Sequence, residues 1–283
     1  MEKTLKSTSK KGLYIGGIIQ DSLNSSSYNR VLDEVSKRLQ AQKKTFLVTP
    51  NPEFLIYASE NPWFSDILSK ADITIPDGVA FFWAQEVFKG NNTLSRLGIG
   101  LKVGLKVVFK GWGKKRITGT DLFEFLCKQA AQTGKTVYFL GGRPIKGIKV
   151  GELAFKKLQN KYPGLKGWAD EGFNLNLEEI DSKNSKVKQL VGKINQKKPD
   201  FLFVAFGMGK QEKFIWENWS KLDVKLAAGI GGAFDYLSGT VKRAPLWLRN
   251  AGFEWLYRLV RQPWRFSRQV SLFKFIFWVI KGE

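Results

Sequence analysis

The sequence predicts an α/β fold, in which a Rossmann-like parallel sheet has helices on both faces and a basic helical appendage follows at the C-terminus. Short, continuously apolar runs such as 136–140 (TVYFL) and 200–206 (DFLFVAF) are typical of strands buried on both faces. Between these runs, apolar residues recur at helical spacing, which predicts that a helix follows each strand. The alternation stops near residue 240, where basic and aromatic residues take over.

The elements are predicted in chain order from these runs. The first helix carries Val31, Leu32, Val35 and Leu39 on one face. Thr120 is the predicted N-cap of the helix over residues 121–132. Strands are predicted over residues 13–19, 45–48, 73–75, 136–140, 165–168, 200–206 and 224–228. Helices are predicted over residues 28–42, 52–58, 63–71, 78–87, 121–132, 148–161, 185–196 and 210–220. A ligand site is expected at the carboxyl ends of the strands.

Residues 89–115 interrupt the alternation. This segment has no acidic residue, and lysines divide its apolar residues every few positions. It therefore cannot supply the ~20 consecutive apolar residues of a membrane span. Two interpretations stay open, a segment lying on a membrane surface and a solvated basic loop.

Residues 241–283 form the predicted appendage, which divides the chain into a core over 1–240 and a tail. Arginines, lysines and four tryptophans alternate there, and Pro263 predicts a break between helices over 253–261 and 264–280. Tryptophan and arginine on one element are typical of an interfacial membrane anchor. A helical subdomain packed on the core and a site for single-stranded nucleic acid are the alternatives.

The composition limits the chemistry. Lysine and arginine number 46 against 25 aspartates and glutamates, a net charge of +21 that implies an anionic partner. There is no histidine and one cysteine, Cys127, so imidazole metal sites and internal disulfides are excluded. A general base must then be a carboxylate, a lysine, a tyrosine or the thiol. The N-terminal residues lack the apolar core and cleavage site of a secretory signal, so we expect a cytoplasmic protein.

Glycine-rich turns follow several predicted strands without completing a known nucleotide motif. After Gly207 and Gly209 the third position of the dinucleotide fingerprint is Glu212, and Lys210 is followed by Gln211 rather than Ser or Thr. This disfavours NAD binding and ordinary nucleotide hydrolysis, but glycine turns that lead into helices suit a diphosphate. No Asp-x-Asp pair exists, so arginines and helix N-termini would neutralise a departing diphosphate.

Six short motifs stand at the ends of predicted elements. They are TPN (49–51), IPDG (75–78), RITGTD (116–121), FGMGKQE (206–212), GIGGAFD (229–235) and VKRAP (241–245). In this order they resemble the WecG/TagA/CpsF family of bacterial glycosyltransferases. Segment 89–115 departs from that pattern, because it looks longer than the family's usual link.

The resemblance implies an inverting, metal-independent transfer of an N-acetylhexosamine-type sugar, ManNAc or its uronic acid. The implied donor is a UDP-N-acetylhexosamine, and the implied acceptor is a polyprenyl-diphosphate-linked GlcNAc of teichoic acid or surface polysaccharide synthesis. The expected place is the cytoplasmic face of the plasma membrane, with its anionic surface as partner. We expect no cofactor, no metal and no nucleic acid, and leave a homo-oligomer open. The alternatives are a non-enzymatic nucleic-acid-binding protein and a Rossmann-type oxidoreductase.

The resemblance also implies site residues. Asp77 matches the family's proposed base, which takes the proton of the attacking hydroxyl; from its position alone it could equally cap a helix. Thr49 and Asn51 are expected either to bind a sugar near Asp77 or to cap a helix. Gln211 is expected to reach donor hydroxyls, and Glu212 to serve a helix N-terminus. Arginines matching family positions are expected to bind the diphosphate: Arg116, Arg258, Arg265 and Arg268.

Overall fold

The computed structural model describes residues 6–8, 12–15, 18–21, 28–110, 118–263 and 266–282. Its strands are β1 (Lys6–Thr8), β2 (Gly12–Ile15), β3 (Ile18–Asp21), β4 (Thr45–Val48), β5 (Ile73–Thr74), β6 (Thr136–Gly141), β7 (Lys166–Asp170), β8 (Phe201–Ala205) and β9 (Leu226–Gly229). Its helices are α1 (Tyr28–Gln40), α2 (Pro52–Glu60), α3 (Pro62–Ser69), α4 (Ala80–Val87), α5 (Thr93–Lys110), α6 (Gly119–Thr133), α7 (Val150–Lys161), α8 (Ser185–Lys197), α9 (Lys210–Glu217), α10 (Ala233–Leu237), α11 (Leu246–Asn250), α12 (Glu254–Arg261) and α13 (Phe266–Lys281).

Six strands form a single parallel sheet, as predicted. Their order is β5-β4-β9-β8-β6-β7, and all five neighbouring pairs run parallel. The chain passes from β4 to α2 on one face of the sheet and from β9 to α10 on the other face. The loops after β4 and β9 therefore diverge, which opens the crevice where sheets of this type bind ligands.

Apolar residues on both faces of the sheet explain its continuous apolar strands. Phe46 and Val48 of β4 pack in one core cluster with α2, α3, α4, α8, α9 and α13, while Leu47 between them faces the other. The second cluster joins the sheet to α1, α6, α7 and α10. At its centre Phe123 of α6 lies 4.5 Å from Phe203 of β8, ring centre to ring centre. These buried aromatic contacts fix the layers that carry the strand ends.

The prediction of one strand over residues 13–19 is wrong. The segment contains β2 and β3, which pair antiparallel with each other and belong to a separate three-stranded sheet with β1. Gly16 and Gly17 lie inside the predicted run, and glycine weakens a strand interior. The parallel sheet therefore begins with β4.

Segment 89–115 contains an 18-residue helix, α5, so its interpretation as a solvated loop is wrong. The helix packs on α4, where the Trp83 indole nitrogen donates to the Gly100 carbonyl at 2.9 Å. A side chain at Gly100 would lie 3.0 Å from that indole, so glycine allows the two helices to approach closely. Residues 111–115 lie outside the described residues.

The C-terminal segment folds back onto the core. The predicted break near Pro263 separates α12 from α13. Phe275 and Val279 of α13 are buried, and the Phe275 ring lies 5.8 Å from that of Phe81 in α4. Lys274 pairs with Glu60 of α2 at 2.8 Å. The subdomain interpretation thus holds for the inner face of α13; the division at residue 240 stays a prediction. Among the described helices, none is long and apolar enough to cross a membrane.

Candidate active site

Two predicted site residues meet at the carboxyl ends of neighbouring strands. Thr49 follows β4 and Asp77 follows β5, and the Asp77 amide donates to the Pro50 carbonyl at 2.8 Å, which ties the two loops together. A Cβ built on Gly119, the first residue of α6, would lie 3.1 Å from Thr49 Oγ1 and 3.6 Å from Asp77 Oδ2. A hydroxyl, a carboxylate and the positive end of a helix dipole therefore share one small volume.

Helix capping explains the position of Asn51 but not that of Asp77. The N-cap of α4 is Val79, two residues beyond Asp77, so Asp77 is not the N-cap of that helix. Asn51 does cap α2, because its Oδ1 accepts from the Phe54 amide at 3.1 Å. Its contact with a sugar stays a prediction.

The N-terminus of α6 is held by Arg243, a residue that sequence reasoning missed. The N-cap is Thr118 rather than Thr120, because residues 119 and 120 already belong to the helix. Arg243 donates to both Asp121 carboxylate oxygens, to Thr118 Oγ1 at 2.9 Å and to Glu254 of α12 at 3.0 Å. Burial opposes ionisation of Asp121, but the Arg243 hydrogen bonds outweigh it and lower its pKa. The VKRAP motif was the signal that could have pointed to this residue.

Gln211 and Glu212 lock together the turns after β8 and β9. The Gly231 amide donates to Gln211 Oε1 at 3.0 Å, and Gln211 Nε2 donates to Glu212 Oε1 at 2.7 Å. Glu212 Oε2 accepts from the Gly209 amide at 2.8 Å, which confirms its predicted service at the N-terminus of α9. Burial raises the pKa of Glu212 to about 7. The Gln211 amide thus faces inward, between the turns, and its contact with a donor stays a prediction.

Arg258 reaches the carboxyl end of β9 from α12. A Cβ on Gly232 would lie 2.7 Å from Arg258 Nη2 and 3.3 Å from Asp235 Oδ2, so both side chains reach the turn after β9. The guanidinium lies 5.0 Å from the ring centre of Tyr236. Among the described residues, the Nε atoms of Arg258 and Arg249 are both buried and have no hydrogen-bond partner. Because buried donors are nearly always paired, these two atoms are donors that a ligand or an ordered water would satisfy.

Three predicted arginines cannot be placed at the site. Arg116 and Arg265 lie outside the described residues, and Arg268 belongs to α13 with a side chain that is outside them. Within the described part of the chain, no three carboxylates or thiols cluster in a way that could hold a metal ion. A groove of ≈ 340 Å³ runs between α2, Met208 and α13, and none of the predicted site residues lines it.

Comparison with known proteins decides the family. The model of the glycosyl transferase WecG/TagA/CpsF family matches residues 17–97 and 85–283. The chain belongs to this family. It is therefore an enzyme of the glycosyltransferase class, as the motifs suggested. The two matched segments overlap over residues 85–97, and the second one runs through all of segment 89–115 and α5.

Relatives of this WecG/TagA/CpsF protein carry the name N-acetylglucosaminyldiphosphoundecaprenol N-acetyl-beta-D-mannosaminyltransferase. One from Bacillus spizizenii is 32% identical over 87% of this chain and 82% of its own length. One from Bacillus subtilis is 31% identical over 91% of this chain and 88% of its own length. One from Staphylococcus aureus is 28% identical, with 86% and 83% covered. The likeness thus extends over nearly the whole enzyme.

Proposed function

We propose that this glycosyltransferase moves N-acetylmannosamine, or its uronic acid, from UDP to a polyprenyl-diphosphate-linked GlcNAc at the cytoplasmic face of the membrane. The observation that carries the proposal is the meeting of Asp77, Thr49 and the N-terminus of α6. The names of the relatives support the sugar and the acceptor. Membership of this family favours a transferase over the oxidoreductase and nucleic-acid-binding interpretations.

Asp77 is the base of the proposed reaction. The acceptor hydroxyl attacks C1 of the sugar from the side opposite UDP, while its proton passes to the Asp77 carboxylate. The bond between C1 and the diphosphate oxygen breaks, and its electron pair leaves with UDP. One inversion at C1 results. With no histidine in the chain, a carboxylate at the end of β5 is well suited to this proton transfer.

Arginine and backbone groups stabilise the leaving diphosphate. Arg258 offers a planar set of donors beside the turn after β9, and its Nε has no partner within the described part of the chain. The turns after β8 and β9 are held rigid by Gln211 and Glu212, so their backbone amides are fixed in place. Donors fixed in advance stabilise developing charge without reorganisation. We therefore propose that no divalent metal is required, and that full activity survives excess EDTA.

A panel of UDP-sugars tests the proposal with a polyprenyl-diphosphate-GlcNAc acceptor. We expect a disaccharide-lipid product from UDP-ManNAc or its uronic acid, with inverted configuration at C1. Asp77→Asn should lower turnover by ~10²–10⁴, the usual contribution of a general base. Thermal unfolding and UDP binding of the variant serve as controls for folding. Normal turnover by a folded Asp77→Asn variant, or product with retained configuration, would remove Asp77 from this role.

A further inference from the structure

The helix α5 presents an apolar stripe to the outside of the molecule. Val103 and Val107 are buried, while a leucine or phenylalanine points outward at almost every turn of the opposite face. Leu101 is 64% exposed and Leu105 58%. A surface helix of a globular protein normally presents polar residues on its outer face. The exposed residues of the stripe are Leu94, Leu97, Leu101, Leu105 and Phe109.

The neighbouring helix α13 repeats this arrangement. Its inner face buries Phe275 and Val279, and its outer face exposes Phe266, Val270, Phe273 and Phe277. The start of α5 meets the end of α13, since Arg96 Nη1 donates to the Lys281 carbonyl at 2.9 Å. Two exposed apolar stripes on packed helices make a patch of the kind that marks an interaction surface.

The charges beside the stripe indicate an anionic partner. Neither α5 nor α13 contains an aspartate or glutamate. Lys102 and Lys106 follow the leucine stripe along one edge, one helical turn apart. Lys281 lies 4.4 Å from the ring centre of Phe277. A second copy of this chain would bring its own lysines against these, whereas an anionic bilayer attracts them and takes up the leucines.

The stripe ends next to the candidate active site. A Cβ on Gly252, just before α12, would lie 3.0 Å from Val107 of α5 and 3.2 Å from Val79. Val79 is two residues beyond Asp77 in the sequence. The C-terminal end of α5 therefore lies beside the loop that carries the proposed base.

We propose that α5 is a membrane-docking helix, which lies in the interface of an anionic bilayer with its leucines in the acyl boundary and its lysines among the head groups. The role of this helix rests on the proposed function, since docking would bring a membrane-held diphosphate acceptor to Asp77.

A single fluorescent label tests the insertion. Cys127 is buried, and burial raises its thiol pKa, so it does not compete for the label. A polarity-sensitive dye on Leu101→Cys should shift to shorter wavelength with phosphatidylglycerol vesicles and much less with phosphatidylcholine vesicles. The matched control is Ile148→Cys, an exposed apolar position before α7 on the other side of the sheet, which should not respond.

Two triple variants test how much the leucines contribute to membrane binding without disturbing the helix. Changing Leu97, Leu101 and Leu105 to Gln should lower partition onto anionic vesicles about tenfold or more, while the same change to Met should preserve it. Gln and Met both favour helix, so circular dichroism should stay unchanged. Equal partition of both variants, or no dye response at residue 101, overturns the proposal. A dye shift without vesicles that grows with protein concentration overturns it too, since it shows self-association.

These measurements use no sugar donor, so they do not depend on the transferase reaction. If no sugar transfer is found but the label inserts, the proposed function fails and the docking surface stands. If transfer to a water-soluble acceptor proceeds while the label at residue 101 stays in water, the docking surface alone is rejected.

Discussion

The helices α1 and α5 are both amphipathic and rich in basic residues, yet they face solvent in opposite ways. In α1, Val31 and Val35 are buried and Lys37 is exposed. In α5, Val103 and Val107 are buried, but the opposite face exposes leucines rather than charges. Burial of Val31 and Val35 against the core stabilises α1. The outer leucines of α5 remain in water in the isolated molecule, at a cost that only a partner can offset.

The same contrast separates the two halves of the proposed activity. At the carboxyl edge of the sheet, polar groups such as Gln211 and Glu212 are buried and hydrogen-bonded. On the outer faces of α5 and α13, apolar groups are exposed. The carboxyl edge of the sheet is suited to the transfer reaction, and the outer surface of α5 and α13 is suited to binding a membrane. Changes at the two places should therefore have separable effects.

The inner and outer faces of α13 offer the sharpest stability comparison. Phe275 is 1% exposed and Phe277, two residues later, is 53% exposed. Phe275→Ala should lower the free energy of unfolding by about 3–5 kcal/mol, because it leaves a cavity against Phe81. Phe277→Ala should change it by less than about 1 kcal/mol while weakening binding to anionic vesicles. Denaturant unfolding of the two variants measures the difference; equal losses would mean that α13 does not pack as described.

Two arginines of α12 allow a residue at the sheet edge, Arg258, to be compared with a residue on the outer surface, Arg261. Arg258 lies against Gly232 and Tyr236, whereas Arg261 is exposed. Arg258→Ala should lower kcat about 10–100-fold, because one fixed donor to the leaving diphosphate is lost. Arg261→Ala should leave kcat nearly unchanged. Steady-state kinetics with a water-soluble acceptor provides the measurement, and a larger loss for Arg261 would contradict the assignment.

The smallest expected effect is a pH dependence of the free energy of unfolding, which comes from Glu212. Burial raises its pKa from 4.5 to about 7 in the folded chain, so between these values the folded state holds the proton more tightly than the unfolded state. Its contribution to stability is present at low pH and is lost as pH rises through about 7. Relative to Glu212→Gln, the natural protein should lose on the order of 1–3 kcal/mol between pH 5 and 8. Parallel stability curves for the two proteins would contradict this expectation.

Sequence reasoning found the sheet because each strand is buried on both faces, which leaves an uninterrupted apolar run. It also brought Thr49 and Asp77 together, since the ends of parallel strands meet at one edge. It missed the helical state of α5, where Gly98, Gly100 and Gly104 lower the helix propensity and packing on α4 overrides them.

Long-range contacts account for the other misses. Arg243 binds Asp121 across 122 positions of the chain, and no local pattern encodes that pair. The inward orientation of Gln211 depends on a turn twenty residues later. Only Gly229, whose absent Cβ leaves room for the Gln211 amide, marks this contact in the sequence.

The central claim is that the transfer reaction takes place at the sheet edge while α5 binds the membrane. The ratio of transfer rates to two acceptors tests this claim most directly. One acceptor is a water-soluble, short-chain diphosphate-linked GlcNAc, and the other is its long-chain form in anionic vesicles. Changing Leu97, Leu101 and Leu105 to Gln should lower the rate on vesicles by about tenfold and leave the water-soluble rate unchanged. Asp77→Asn should lower both rates equally. If the leucine variant lost activity equally on both acceptors, or Asp77→Asn lost it only on vesicles, the separation of chemistry from location would be contradicted.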